Sequence, residues 1–411
     1  MTWAGRHVVL GVSGGIASYK SCLLARRLVE RGARVDVVLT RAAADFVRPI
    51  TFEALSGRPV LSSIWERDGA LAHVRLGQEA DLIVVAPATA HLVARVAQGL
   101  ADDLLTSLLL AATAPILVAP AMNDEMYAKP ITQSNLRTLT SRGISTVGPE
   151  IGALAEGASE RPGRMSEPET ILAHAARLLR RGGPLAGKRV VVTAGPTRES
   201  LDPVRVVTNR SSGRMGYAVA EAAWERGAEV IVVSGPTSLP APVGVELRRI
   251  ETTAELARAV GEELPCADVL IMAAAPADWR PAEASAAKRP RGDGALTLAL
   301  EATEDVLATT QSRRKPGSII VGFALETGGA VERGREKLRR KGLDLIVVND
   351  ALEPGAGFEV ETNRVTLLAR DGGERVLPLM EKRAVADAIL DAVEARCAGG
   401  GGDAAAERRG G

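Results

Sequence analysis

Cysteine, net charge, histidine and unbroken apolar runs are all scarce in this chain, and each scarcity narrows what it can be. The three cysteines, Cys22, Cys266 and Cys397, lie far apart and outside any CxxC pair, which argues against a disulfide framework or a cysteine zinc site. A reducing, cytoplasmic compartment is therefore expected. Lys and Arg number 51 against 50 Asp and Glu, so no overall field draws the protein to nucleic acid or to an anionic membrane. Any phosphate must be held by a local site. Met1-Thr-Trp-Ala-Gly-Arg-His7 runs into a strand-like segment without the zones of a signal peptide. Leu104 to Asn123 carries no charge, but Pro115 and Pro120 break it, so it is expected to be a buried helix followed by a buried strand rather than a membrane span.

What is present is a repeated alternation. Short Val/Ile/Leu runs at Val8–Leu10, Val35–Leu39, Leu82–Val85 and Ile116–Val118 recur at Val190–Val192, Val230–Val233, Val269–Met272, Ile319–Val321 and Leu345–Val348. Stretches of helical spacing, such as Ser21 to Arg31 and Tyr217 to Arg226, separate most of them. Continuous apolar strands between helices indicate parallel sheets covered on both faces. The fold class expected is α/β, with two doubly wound (Rossmann- or flavodoxin-like) parallel-sheet domains. The 411 residues suit two cores. The Gly/Pro cluster of Arg180 to Lys188 reads as the linker, which places the domains at 1–181 and 188–397 and a disordered tail at 398–411. Arg31-Gly-Ala-Arg-Val-Asp-Val-Val echoes Arg226-Gly-Ala-Glu-Val-Ile-Val-Val, either as a favourable helix-to-strand turn or by shared descent.

In the first half, Gly11-Val-Ser13-Gly14-Gly15-Ile16-Ala17 follows the first strand and precedes a helix, so main-chain N–H groups can face a phosphate. The spacing is not GxGxxG, and the second strand ends in Thr40 where a dinucleotide site would want an acid, which favours a mononucleotide such as FMN. Thr89 and Asn123 follow the next two strands, at the edge where doubly wound sheets bind ligands. Each has a plainer reading, Thr89 as a helix cap and Asn123 as a turn residue. His73 alone reads as a surface or helix-start histidine.

Together, Ser13-Gly-Gly-Ile-Ala17, Ala72-His73-Val, Ala86-Pro-Ala-Thr89, Gly99-Leu-Ala-Asp-Asp-Leu-Leu105, Pro120-Ala-Met-Asn123 and Gly163-Arg-Met165 resemble the flavin-dependent cysteine decarboxylases. The resemblance implies FMN held by Ser13, Gly14, Gly15, Ile16, Ala17, Thr40 and Thr89, with His73 as base and Asn123 on the substrate carboxylate. It also implies a flap with Ala-Cys-Gly whose thiol returns a proton. Here the flap reads Leu154-Ala-Glu156-Gly157, so Glu156 stands where the cysteine is expected and becomes the candidate acid.

The second half carries Thr193-Ala-Gly-Pro-Thr-Arg-Glu199 and then Asn209-Arg-Ser211-Ser212-Gly213-Arg-Met-Gly216 before a helix. Ser211, Ser212 and Gly213 form a natural phosphate cradle, although an isolated Ser-Ser-Gly could merely cap the helix. The long run resembles the phosphopantothenate-cysteine ligases, and with the first half the chain resembles the bifunctional decarboxylase/ligase family of coenzyme A synthesis. That family joins 4'-phosphopantothenate to cysteine with CTP and Mg2+ through an acyl-cytidylate, then decarboxylates 4'-phosphopantothenoylcysteine. Matching positions imply Asn209 on the acyl-cytidylate, Lys288 on the activated phosphate, and Asp278 on the metal-bound nucleotide. They also imply Ala275, Thr303, Glu304, Asp305, Val306, Phe323, Lys337 and Lys341 around CTP. Thr303-Glu304 departs from the family's Asn-Pro, and Pro290 removes a second loop lysine. Lys337 and Lys341, one turn apart among arginines, also fit a solvated basic stripe. The family implies a homo-oligomer, a dodecamer of decarboxylase trimers and ligase dimers. The alternative is an active ligase whose first half stops at the oxidised enethiol or serves as a flavin-binding regulatory module.

Overall fold

The computed structural model describes residues 3–65, 71–290, 296–350, 353 and 360–406, with side chains as far as residue 398. The chain separates into two compact units, Met1–Arg181 and Gly182–Gly411.

The first unit runs β1 (His7–Val12), α1 (Ser18–Glu30), β2 (Arg34–Leu39), α2 (Ala43–Phe46), α3 (Pro49–Ser56), α4 (Ala72–Glu79) and β3 (Leu82–Ala88). It continues with α5 (Ala90–Gln98), α6 (Leu104–Ala111), β4 (Ile116–Pro120), α7 (Asp124–Ala128), α8 (Pro130–Ser141), β5 (Ser145–Thr146), β6 (Glu150–Ile151), β7 (Pro162–Arg164) and α9 (Pro168–Leu179). A five-stranded parallel sheet has the order β2-β1-β3-β4-β5. All residues of β1, β3 and β4 are buried, because helices cover both faces; that is why these strands read as continuous apolar runs. One core packs α1 and α9 on one face, and the other packs α4, α5 and α6 on the opposite face. Each buried Val or Leu contributes roughly 1.5–3 kcal/mol. The order reverses between β1 and β3, which opens a crevice at their carboxyl ends.

The second unit runs β8 (Arg189–Ala194), β9 (Arg198–Ser200), β10 (Val206–Thr208), α10 (Arg214–Glu225), β11 (Glu229–Ser234), β12 (Glu246–Arg249), α11 (Thr253–Glu263) and β13 (Val269–Met272). There follow β14 (Trp279–Pro281), β15 (Leu300–Ala302), α12 (Val306–Thr309), β16 (Ile319–Glu326), α13 (Ala330–Arg340) and β17 (Leu345–Asp350). Last come β18 (Thr362–Asn363), β19 (Thr366–Ala369), β20 (Glu374–Val376), β21 (Met380–Glu381) and α14 (Lys382–Ala406). The eight-stranded sheet is ordered β12-β11-β8-β13-β16-β17-β19-β20. Its first six strands are parallel and reverse order between β8 and β13, while β19 and β20 add an antiparallel edge. Buried Arg226 anchors α14 to α10 through Asp387 at 3.0 Å and Glu394 at 2.7 Å. The last helix continues to Ala406, past residue 398, where the sequence predicts a structureless tail. Residues 407–411 of that tail lie outside the described residues. Among the described residues no helix is long and apolar enough to cross a membrane.

Candidate functional sites

A cavity of about 800 Å³ fills the β1/β3 crevice of the first unit. Its lining includes every residue from Ser13 to Ala17, together with Thr40, Thr89, Asn123 and Glu156. The loop after β1 is locked from below: Ser13 Oγ donates to the Pro87 carbonyl at 2.8 Å and accepts from the Thr89 N–H at 3.0 Å. A Cβ on Gly14 would stand 2.4 Å from the Ala42 side chain and 2.7 Å from its carbonyl carbon, so only glycine lets these two segments meet. Thr40 accepts from the Ala43 N–H at 3.3 Å.

Thr89 and Asn123 line the cavity and also cap helices. Thr89 caps α5 through the Leu92 N–H at 3.3 Å, and Asn123 Oδ1 caps α7 through the N–H groups of Glu125 and Met126 at 2.9 and 3.4 Å. With its oxygen committed, the Asn123 amide keeps its NH2 as a donor suited to a carboxylate. The flap is the antiparallel pair β6–β7 and the turn between Leu154 and Gly157, which exchange backbone hydrogen bonds of 2.8 and 3.1 Å. Glu156 is exposed at the tip of that turn. Cys22 packs against the core, and burial pushes its thiol pKa up.

His73 departs from the rest. It sits at the start of α4, outside the residues that line this cavity, and its Nδ1 is buried without a hydrogen-bond partner among the described residues. The cavity also presents groups that no sequence motif singled out. Lys20 is buried, and its ammonium donates to the Met165 carbonyl at 3.0 Å and to Glu167 at 2.9 Å. Arg95 reaches Asp103 at 2.8 Å and Thr106 at 3.1 Å, and Met126 supplies an apolar wall.

In the second unit, Asn209 Nδ2 donates to the carbonyls of Ala275 and Pro276 at 3.2 and 2.9 Å, which joins the segment after β10 to the one after β13. The Thr303 N–H donates to the Asp278 carbonyl at 3.0 Å, and its hydroxyl to the Ala277 carbonyl at 2.6 Å. Lys337 donates to the Phe323 carbonyl at 2.8 Å, and Lys341 pairs with Asp305 at 2.9 Å. The two lysines therefore turn inward from the basic stripe of α13. Burial pushes the Lys337 ammonium below its ordinary pKa, and Lys341 adds repulsion that the charges of Glu326, Asp278 and Asp305 partly offset. Burial also acts to raise Asp305, but the Lys341 ion pair holds its carboxyl below the usual range. Asp305 caps α12 through the Ala308 N–H at 3.3 Å, with Val306 buried beneath it and Glu304 exposed.

Gly213 takes a left-handed φ of 77° at the start of α10, and its N–H lies 3.4 Å from Ser211 Oγ. Thr237 Oγ1 donates to the Ser212 carbonyl at 3.0 Å. Lys288 stands apart, exposed on the loop after β14. No group of three or more metal-ligating side chains occurs among the described residues.

Residues 2–180 match the family model described as Flavoprotein, and residues 185–396 match the DNA/pantothenate metabolism flavoprotein C-terminal domain. The chain is 45% identical over 393 residues to the coenzyme A biosynthesis bifunctional protein CoaBC of Vibrio cholerae serotype O1, covering 94% of this chain and 97% of that one. To the protein of the same description in Mycobacterium tuberculosis strain H37Rv it is 48% identical over 409 residues, covering 96% and 97%. The corresponding Bacillus subtilis strain 168 protein is 45% identical over 395 residues, covering 95% and 97%. The chain therefore belongs to the CoaBC family of bifunctional decarboxylase and ligase enzymes of coenzyme A biosynthesis.

Proposed function

We propose that the second unit condenses 4'-phosphopantothenate with cysteine at the expense of CTP, and that the first unit, carrying FMN, decarboxylates the resulting 4'-phosphopantothenoylcysteine to 4'-phosphopantetheine. The observation that carries the first assignment is the cavity under the flap, where the glycine loop, Thr89 and Asn123 converge. FMN fits these residues: backbone N–H groups between Ser13 and Ala17 suit its phosphate, and Ile16, Met122, Met126 and Leu154 offer apolar walls for its ring. Bound there, FMN supplies a two-electron acceptor for the CH2–SH carbon of the substrate and later returns the hydride. Asn123 orients the carboxylate to be lost, and Glu156 on the flap delivers the closing proton. His73 acts as base across a contact between copies of the chain, which accounts for its place outside its own cavity and for its unpartnered Nδ1.

The ligase assignment rests on the cluster of Asn209, Asp278, Lys337 and Lys341 at the ends of the parallel strands. Lys337 and Lys341 stabilise the charge of the nucleotide, Lys288 closes over the activated phosphate, and Ser211, Ser212 and Gly213 cradle the phosphates. Asp278 would hold Mg2+ through its carboxylate, and the ion would supply positive charge against the phosphates.

The deciding experiment supplies purified protein with 4'-phosphopantothenate, cysteine, CTP and Mg2+, and follows pyrophosphate, CO2 and released FMN. Stoichiometric pyrophosphate and CO2 are expected. Absence of pyrophosphate rejects the ligase assignment. Absence of CO2 when 4'-phosphopantothenoylcysteine is supplied directly rejects the decarboxylase assignment and leaves the first half as a flavin-binding regulatory module, whereas CO2 accompanied by the enethiol in place of 4'-phosphopantetheine favours a first half that stops at the enethiol.

A further inference from the structure

We propose that a second cavity of the ligase unit seats the amino-acid substrate as a zwitterion, with Arg198 and Arg249 holding its α-carboxylate and Glu251 facing its amine. This rests on the ligase reading above. The cavity, of about 860 Å³, lies at the carboxyl ends of β8, β11 and β12. Its walls include Arg198, Arg249, Ser211, Ser212, Thr237 and Glu251. Phe323 and Lys337 stand on the other side of the strand-order reversal, on β16 and α13, so the space is separate from those nucleotide residues, while Ser211 and Ser212, given above to the phosphates, form its border.

Its position suits the second substrate. Arg198 stands opposite Thr208 in the β9–β10 ladder, beside Asn209, the residue given to the acyl-cytidylate. The Arg198 N–H donates to the Glu251 carbonyl at 2.7 Å, so one backbone bond ties the cation, the carboxylate and the acyl site together.

Its charges suit a zwitterion better than a polyanion. Neighbouring arginines are engaged: Arg205 with Asp202, Arg248 with Glu262 and Glu263, and Arg214 on the cavity wall with Glu361. Neither Arg198 nor Arg249 has an ion-pair partner among the described residues, and both are exposed. A guanidinium fork matches a carboxylate in shape and charge. Of the two carboxylates present, Glu255 already accepts the Glu251 N–H at 2.7 Å, which leaves Glu251 to the ligand. Pyrophosphate placed here would meet both carboxylates. In the amide-forming step the ammonium gives a proton to Glu251 and the free amine attacks the acyl carbon. The C–N bond forms as the C–O bond to the cytidylate breaks. CMP leaves with that oxygen, and the second amine proton passes to water.

The test uses full-length wild type and the R198Q, R249Q and R198Q/R249Q variants. One measurement is the pyrophosphate burst from CTP and 4'-phosphopantothenate without cysteine; the other is the KM for cysteine against that for cysteamine, which lacks the carboxylate. The burst should be unchanged, which also shows that the variants fold. The cysteine KM should rise by about tenfold per arginine, and the preference for cysteine over cysteamine should fall by the same factor. A slowed burst makes the cavity a nucleotide or pyrophosphate subsite and overturns the proposal, as does an unchanged preference. Should wild type give no burst, the ligase reading itself fails. Calorimetric titration of cysteine then decides the cavity: equal heats in wild type and double variant, or no binding to wild type, overturn it.

Discussion

Lys20 and Met165, from opposite ends of the first unit's chain, are joined by a buried hydrogen bond of 3.0 Å from ammonium to carbonyl. It fastens the helix behind the glycine loop to the segment that returns from the flap, and Glu167, 2.9 Å away, balances the charge. Lys20→Met keeps the length of the side chain but leaves the Met165 carbonyl without its donor. The expected cost is about 1–3 kcal/mol, seen as a lower unfolding temperature of the first unit and faster release of flavin on dilution. Unchanged flavin release would show that the bond does not hold the flap.

His73 gives the second prediction. Because it lies outside its own cavity, a His73→Asn subunit should be rescued by an Asn123→Asp subunit within a mixed oligomer, where one cavity in the assembly combines both intact groups. Each variant alone should lose CO2 release by a factor of about a hundred or more, and co-expression should restore part of it. Failure of every mixture to recover activity would place His73 and Asn123 in one subunit's site or make His73 structural.

Asp36 gives a pH prediction. Burial acts to raise its carboxyl, but hydrogen bonds from His7 at 2.7 Å and Arg58 at 2.6 Å win, and its pKa falls to about 2. The folded value lies below the unfolded one, near 3.9, so the stabilisation is complete above pH 4 and is lost as the pH falls through 2. The linkage is worth about 2 kcal/mol. Asp36→Asn should lower the urea midpoint at pH 7 and flatten its decline between pH 4 and pH 2; an unaltered acid limb would contradict the assignment.

How much of this was legible beforehand depends on where the information lies. The inner strands announce themselves because burial on both faces demands unbroken apolar residues, as in Val190–Val192 and Leu345–Val348. The edge strand Glu246–Arg249 does not, since its Glu-Leu-Arg-Arg stretch meets solvent, and Ser145–Thr146 is too short to show a period. The glycine loop and Thr89 follow from local backbone chemistry. Lys20 could not be read as an anchor, because its partner Glu167 is 147 residues away and nothing local marks a buried lysine. His73 is recognisable by motif, yet its separation from the cavity is a property of tertiary placement.

Asn209 holds the carbonyls of Ala275 and Pro276. Asn209→Ala should leave pyrophosphate release working but slow amide formation by about a hundredfold, as misplacement of positioned groups does once the tie to Ala275 and Pro276 is lost. Acyl-cytidylate should then accumulate, measurable by phosphorus NMR. If pyrophosphate release stops as well, Asn209 serves activation instead.

Glu156 is the sharpest departure from the family pattern. Its turn is closed by the Leu154–Gly157 hydrogen bonds, so its backbone position is defined, and it lines the cavity that Asn123 also lines. The closing step needs a proton beside the returning hydride, and Cys22 is packed into the core instead. Under anaerobic conditions, wild type supplied with 4'-phosphopantothenoylcysteine should yield 4'-phosphopantetheine in full. Glu156→Gln cannot donate a carboxyl proton and should accumulate the enethiol, with CO2 release stopping at about one equivalent per FMN, because decarboxylation precedes the reduction and the flavin then stays reduced without oxygen. Glu156→Cys should restore the product, because a thiol can also deliver the proton. Equal product formation by wild type and Glu156→Gln would remove Glu156 from the proton path and leave solvent as the donor. Accumulation of the enethiol by wild type itself would show that this flap no longer completes the reduction.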